Sequence, residues 1–341
     1  MKNLFLIIIL IPTIFISCGD FKKNVVNIYS KRHYQVDKDL FKEFEKKYNI
    51  TVNVVKASAD ELIERIKTEG ENCPADLIIT VDAGKLQKAA NEGLLEKVNY
   101  EDICKSLNPS LLDINNYWIP FTYRSRVLVY SKERVDVSDL STYEDLISEK
   151  WKNKLLCRTS SNAYNQALLS SIIANHDEKF ALDWANGVVK NFARNPKGND
   201  RDQIRAIAAN IGDIAIVNSY YLGLLISSED SLDKKVAESV GVFFPNQKTN
   251  ETGAHVNISG FGLLKNSPNK ENAKLFMKFL TSEFSQSYYA NNSFEYPANN
   301  NVPSSSVVSD WGDFRIDSLD LNKLGLYRTK AINVFEKSNW N

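Results

Sequence analysis

Ile214-Ala215-Ile216-Val217-Asn218-Ser219-Tyr220-Tyr221 is a short apolar strand that runs straight into two adjacent tyrosines. Two other segments repeat the pattern. Asn27-Ile28-Tyr29-Ser30-Lys31-Arg32-His33-Tyr34 is a strand leading into His-Tyr. Leu155-Leu156-Cys157-Arg158-Thr159-Ser160-Ser161-Asn162-Ala163-Tyr164 is a strand leading into a capped helix with a tyrosine in its first turn. In an open α/β sheet, ligands bind beyond the carboxyl ends of the strands. Three separate segments would therefore bring His33, Tyr34, Tyr164, Tyr220 and Tyr221 to one kind of place. Taken alone, each aromatic pair reads as ordinary packing at a strand-to-helix turn. Taken together, one imidazole and four phenols form a hard-leaning N/O donor set. Such a set suits a small, highly charged ion, above all Fe3+.

Outward from these turns, strand and helix alternate. Residues 37–48 place Leu40, Phe41, Phe44 and Tyr48 at helical spacing, and residues 50–56 alternate apolar with polar as a strand does. Ser58-Ala59-Asp60-Glu61 is a capping box opening a helix that ends at Gly70. The apolar run 75–81 predicts a buried strand, followed by a helix over 84–92. Residues 118–130 read as a long strand crossing into a second domain of the same kind. There the spacing predicts helices opening at Ser141 and Asn162 and over 180–192 and 200–209. Residues 242–247 and 255–264 look like the return crossing. Helices over 272–280 and 282–291 follow, and a tail over 311–340 should pack across one lobe. The fold class is α/β, with two lobes, each a mixed sheet covered by helices. The boundaries fall at 25–122 with 247–299 for an N-lobe, and 123–246 with 300–341 for a C-lobe.

A length of 341 residues suggests about two domains. Lys+Arg and Asp+Glu balance at 42 each, so nothing points to nucleic acid. The start is a targeting segment. Met1-Lys2-Asn3 precedes an apolar run over 4–16, shorter than the roughly 20 residues of a membrane span. It ends in Phe15-Ile16-Ser17-Cys18-Gly19, which resembles a bacterial lipobox. Residues 1–17 would then be a signal peptide, Cys18 the lipidated residue and 18–24 a tether. That implies an exported protein, periplasmic or at the cell surface, held to the membrane by lipid. Cys73, Cys104 and Cys157 allow at most one disulfide and show no zinc spacing.

Arg32-His33-Tyr34, the run Ser161 to Gln166 and Asn218-Ser219-Tyr220-Tyr221, with Pro74-Ala75-Asp76, Gly198-Asn199-Asp200 and His255-Val256-Asn257-Ile258-Ser259-Gly260, resemble ferric-iron-binding proteins of bacterial ABC transporters. The paired tyrosine with Tyr164, 56 residues before Tyr220, is the most specific part. The resemblance implies a type II periplasmic binding protein, a monomer whose lobes close on one Fe3+ and which delivers it to an ABC permease. It implies His33 and Tyr34 from the N-lobe and Tyr164, Tyr220 and Tyr221 from the C-lobe as ligands, with a bound anion such as carbonate in some members.

The donor types fit that chemistry. A free phenol is mostly neutral at pH 7, and a trivalent ion would drive its proton off. Three or four phenolates offset the +3 charge without carboxylates. Ser161 or Asn162 at a helix start would orient Tyr164. Arg124 and Arg126 would flank the cleft, balancing the phenolates or holding an anion, or would simply be solvated on a crossing strand. His255 near the crossing reads as structural. No nucleophile motif or phosphate loop argues for an enzyme. Two other readings compete. One is the same fold binding an organic solute such as a polyamine, thiamine or a sugar phosphate. The other is a non-haem iron enzyme, for which His33 lacks a clear second His.

Overall fold

The computed structural model describes residues 24–32 and 34–341. The leader with Cys18, and His33, lie outside the described residues. The first half alternates as expected: β1 (Val25–Ser30), α1 (Gln35–Tyr48), β2 (Thr51–Lys56), α2 (Ala59–Glu69), β3 (Leu77–Thr80) and α3 (Ala83–Asn91). The capping box at α2 forms, with Glu61 N–H donating to Ser58 Oγ at 3.3 Å and Ser58 N–H to the Glu61 carboxylate at 2.8 Å. Then come β4 (Ile119–Ser131), β5 (Leu155–Leu156), α4 (Ala163–Asn175), α5 (Glu178–Lys190), α6 (Asp200–Ala208), β6 (Ile214–Asn218), α7 (Tyr220–Ile226), α8 (Ser231–Glu238) and β7 (Val240–Phe243). The chain returns through β8 (Val256–Leu263), α9 (Lys270–Leu280), α10 (Glu283–Ser293) and β9 (Tyr296–Pro297). It closes with α11 (Ser306–Ser309), α12 (Asn322–Leu326) and α13 (Arg328–Ser338).

β4 is the spine. The strands run in the order β2-β1-β3-β8-β4-β6-β5, with β7 and β9 also on β4. β1 pairs parallel with β2 and β3, and β5 with β6. Residues 119–125 of β4 pair antiparallel with β8, and residues 126–130 with β6. One strand thus belongs to both lobes, and the change of partner falls between Ser125 and Arg126. A first core surrounds β1, β3 and β8 and contains Leu40, Leu77, Phe121 and Phe276. Two others line the faces of the β4–β6 sheet, around Leu169 and Trp184 and around Val217 and Leu222. Each fully buried aliphatic side chain contributes about 1.5–3 kcal/mol. We call the first half the N-lobe and the second the C-lobe.

The helix expected from Ser141 is only a short 3-10 turn, Glu144–Ile147. Side chains claim the backbone there: Tyr143 N–H donates to Asn246 Oδ1 at 2.9 Å, and Trp184 Nε1–H to the Tyr143 carbonyl at 2.7 Å. No helical ladder can propagate through a residue used in this way. Cys73, Cys104 and Cys157 are free.

Candidate metal centre

β6 is buried along its whole length, and the chain turns into α7 at Ser219. In a strand, Tyr220 and Tyr221 would point to opposite faces. The turn instead leaves their rings 4.2 Å apart and tilted by 32°. Ser219 does not cap α7. It is already helical, and its hydroxyl accepts from Ser125 N–H at 3.3 Å, tying the turn to the spine. Tyr164 sits in the first turn of α4, where Asn162 Oδ1 accepts its N–H at 3.0 Å. Ser161 instead pairs with Thr159 at 2.9 Å. Tyr34 stands at the start of α1 in the other lobe.

Three of these phenols meet. The Tyr164 and Tyr220 hydroxyls lie 3.4 Å apart, and Tyr220 is also hydrogen-bonded to Tyr34 and Tyr221. The Tyr34–Tyr220 contact crosses from one lobe to the other. A cavity of about 230 Å3 opens beside it, lined by Tyr34, Val36, Tyr220, Leu224 and Glu295. Burial pushes the phenols of Tyr34, Tyr220 and Tyr221 up from their ordinary value, and the charge of the neighbouring Tyr164 phenolate would push them further. Without a cation these groups hold their protons; a cation that displaces them finds concentrated anionic oxygen.

Buried charge lies behind each set. Arg124 and Arg126 are not solvated on the crossing strand but 2 % and 1 % exposed. The guanidinium carbons of Arg158, Arg124 and Arg126 stand 5.6, 5.7 and 5.8 Å from the Tyr164 ring. Arg126 is held by Asp200 at 2.7 Å and Asn165 Oδ1 at 2.7 Å, and Asp200 also accepts Asn218 N–H at 2.9 Å. Arg124 donates to the Val81 carbonyl. Arg124 Nη1, Arg126 Nε and Asn218 Nδ2 are buried without an acceptor among the described residues. In the N-lobe, Arg32 lies 4.7 Å from the Tyr34 ring, bound to Asp37 at 3.0 Å and Glu295 at 2.9 Å. Burial, then Arg126 and Arg124, hold His255 down to about 3, so it stays neutral and sits in the crossing as a structural group. Sequence reading missed Asp37, Asn165, Asp200 and Glu295 as supports. Arg32 stood in the quoted motif, but only its neighbours were singled out.

The model of the bacterial extracellular solute-binding protein family matches residues 39–316. The chain belongs to that family. This solute-binding protein is 44% identical over 319 residues to iron uptake protein A2 of Synechocystis sp., covering 94% of this chain and 91% of the relative. It superposes with a TM-score of 0.87 on a Trichodesmium protein solved in complex with iron and citrate ligands, at 44% identity and over 93% of this chain and 100% of that one. A ferric binding protein from Campylobacter jejuni matches with a TM-score of 0.86 at 39% identity, again over 93% and 100%. These matches agree with the resemblance carried by the tyrosine motifs and with the two-lobed, type II α/β fold.

Proposed function

We propose that this solute-binding protein captures Fe3+ between its lobes and delivers it to an ABC importer. The ligands in this reading are His33, Tyr34, Tyr164, Tyr220 and Tyr221. The observation that carries it is the meeting of phenols from three chain segments and both lobes around Tyr220. Iron in the Trichodesmium relative, and the iron-uptake relatives, support the same cargo. Phenolate oxygen is hard and anionic, so it selects Fe3+ over Fe2+. Four phenolates around +3 leave an excess negative charge, which Arg124, Arg126 and Arg158 lie close enough to offset. The buried donors on Arg124, Arg126 and Asn218 would equally hold an anion such as carbonate beside the ion.

Capture and release need no bond-making beyond coordination, so no catalytic residue is assigned. The protein works as a monomer outside the cytoplasm, anchored through lipidated Cys18. Cys18→Ala should free it from the membrane fraction or block signal processing; normal processing with full membrane retention would remove the anchor. The cargo is tested by equilibrium dialysis of the metal-free protein against ferric citrate. The expected result is one tightly held ferric ion per chain, with far weaker retention of ferrous ion. Retention of citrate or another organic solute without iron would overturn the reading.

A further inference from the structure

The lobes are joined by more than the crossing strands. α12 and α13 are separated only by Tyr327, yet they belong to different cores. Leu321 and Leu324 are buried with the N-lobe side chains, and Ala331, Val334 and Phe335 with those of the C-lobe. A Cβ added to Gly325 would stand 2.9 Å from the Gly84 carbonyl oxygen, so α12 lies backbone to backbone on α3.

Arg328 occupies this joint, 9% exposed. Its Nη2 donates to both Asp82 carboxylate oxygens at 2.7 Å. Its Nη1 donates to Gln166 Oε1 at 3.1 Å and the Ala163 carbonyl at 3.4 Å. Asp82 is fixed in the N-lobe, accepting also from Asn257 Nδ2 and Lys85 N–H, both at 3.1 Å. Ala163 and Gln166 flank Tyr164 in the first turn of α4. One guanidinium therefore spans from a rigid N-lobe carboxylate to the turn that presents a C-lobe tyrosine. A buried ion pair adds little net stability, but separating its partners while either stays dry is strongly unfavourable. Such a pair favours one relative placement of the elements that carry it.

We propose that Arg328 is an interlobe latch that holds the lobes together and positions the Tyr164 turn against the N-lobe. The second half rests on Tyr164 being an iron ligand; the first half does not. The test uses Arg328→Ala in the full mature chain. Small-angle scattering of the metal-free variant should show a larger radius of gyration than wild type. Transfer of Fe3+ from the loaded variant to a chelator should be about tenfold faster, as expected when one partner of a buried charge pair is removed. The visible band should keep its position, because the ligands are intact. Arg328→Lys keeps the charge but reaches fewer acceptors and should fall between; it serves as the reporter if Arg328→Ala does not fold. Unchanged scattering overturns the latch. A larger radius with unchanged transfer overturns the positioning of Tyr164. If wild type takes up no iron, the scattering arm still decides the latch.

Discussion

The two lobes support their tyrosines with opposite charge balances. Behind Tyr34, one guanidinium, Arg32, is shared by two carboxylates, Asp37 and Glu295. Around Tyr164, three guanidinium groups face one carboxylate, Asp200. The N-lobe side is the more negative and the C-lobe side the more positive. A positive bed favours phenolate over phenol. The C-lobe cluster is therefore built to carry negative oxygen, and the N-lobe adds a ligand when the cleft is shut. The lesson concerns division of labour: one lobe supplies most of the anionic site, the other completes and closes it.

The comparison predicts an order of effects. Arg32→Met leaves two buried carboxylates unpaired and should destabilise the fold by about 5 kcal/mol, against about 3 kcal/mol for Arg126→Met, which orphans one. Denaturant unfolding of both variants checks this, and a reversed order would break the charge contrast. Next comes Tyr220→Phe. Tyr220 is the phenol hydrogen-bonded to three others, so its loss should weaken Fe3+ binding by about 100-fold, the upper end for an outer-sphere contact. Tyr34→Phe, on the side that completes the site, should cost about tenfold in the same competition titration. Equal losses would show that the lobes share the work evenly.

The smallest effect is in alkali. The phenols of Tyr34, Tyr220 and Tyr221 are raised in the folded, metal-free protein above the unfolded value near 10. A raised acid contributes stability that is present below the unfolded pKa and lost as pH rises through and beyond it. The melting temperature of the metal-free protein should fall by a few degrees from about pH 9 to pH 11, and less in Tyr220→Phe. Iron binding runs the other way. Protons compete for the same oxygens, so the ion is released as pH falls.

The fold was legible because its signals are local. Alternating strand and helix periods, the capping box and the unbroken apolar runs each lie within about ten residues. The tyrosines were legible for the same reason: each follows a strand, and topology does the rest. What sits behind them was not. Glu295 reaches Arg32 across 263 positions and Asp82 reaches Arg328 across 246, and no local pattern marks such partners. Asp200 reads as the start of a helix, which it is, but its carboxylate also fixes Arg126 and Asn218. Arg124 and Arg126 alternate along an extended run, a pattern as consistent with solvent as with burial; only the pairing of β4 on both sides decides for burial. The 3-10 turn at Glu144 was hidden because distant Asn246 and Trp184 take its backbone groups.

The central claim is that phenols from both lobes converge on one ferric ion. Its most direct test is visible absorption during titration of the metal-free protein with ferric citrate. The account predicts an intense phenolate-to-iron charge-transfer band that saturates at one equivalent, weakens and shifts in Tyr34→Phe, and largely disappears in a Tyr164→Phe/Tyr220→Phe double variant. No band in the wild type, or an undiminished band in the double variant, would contradict it.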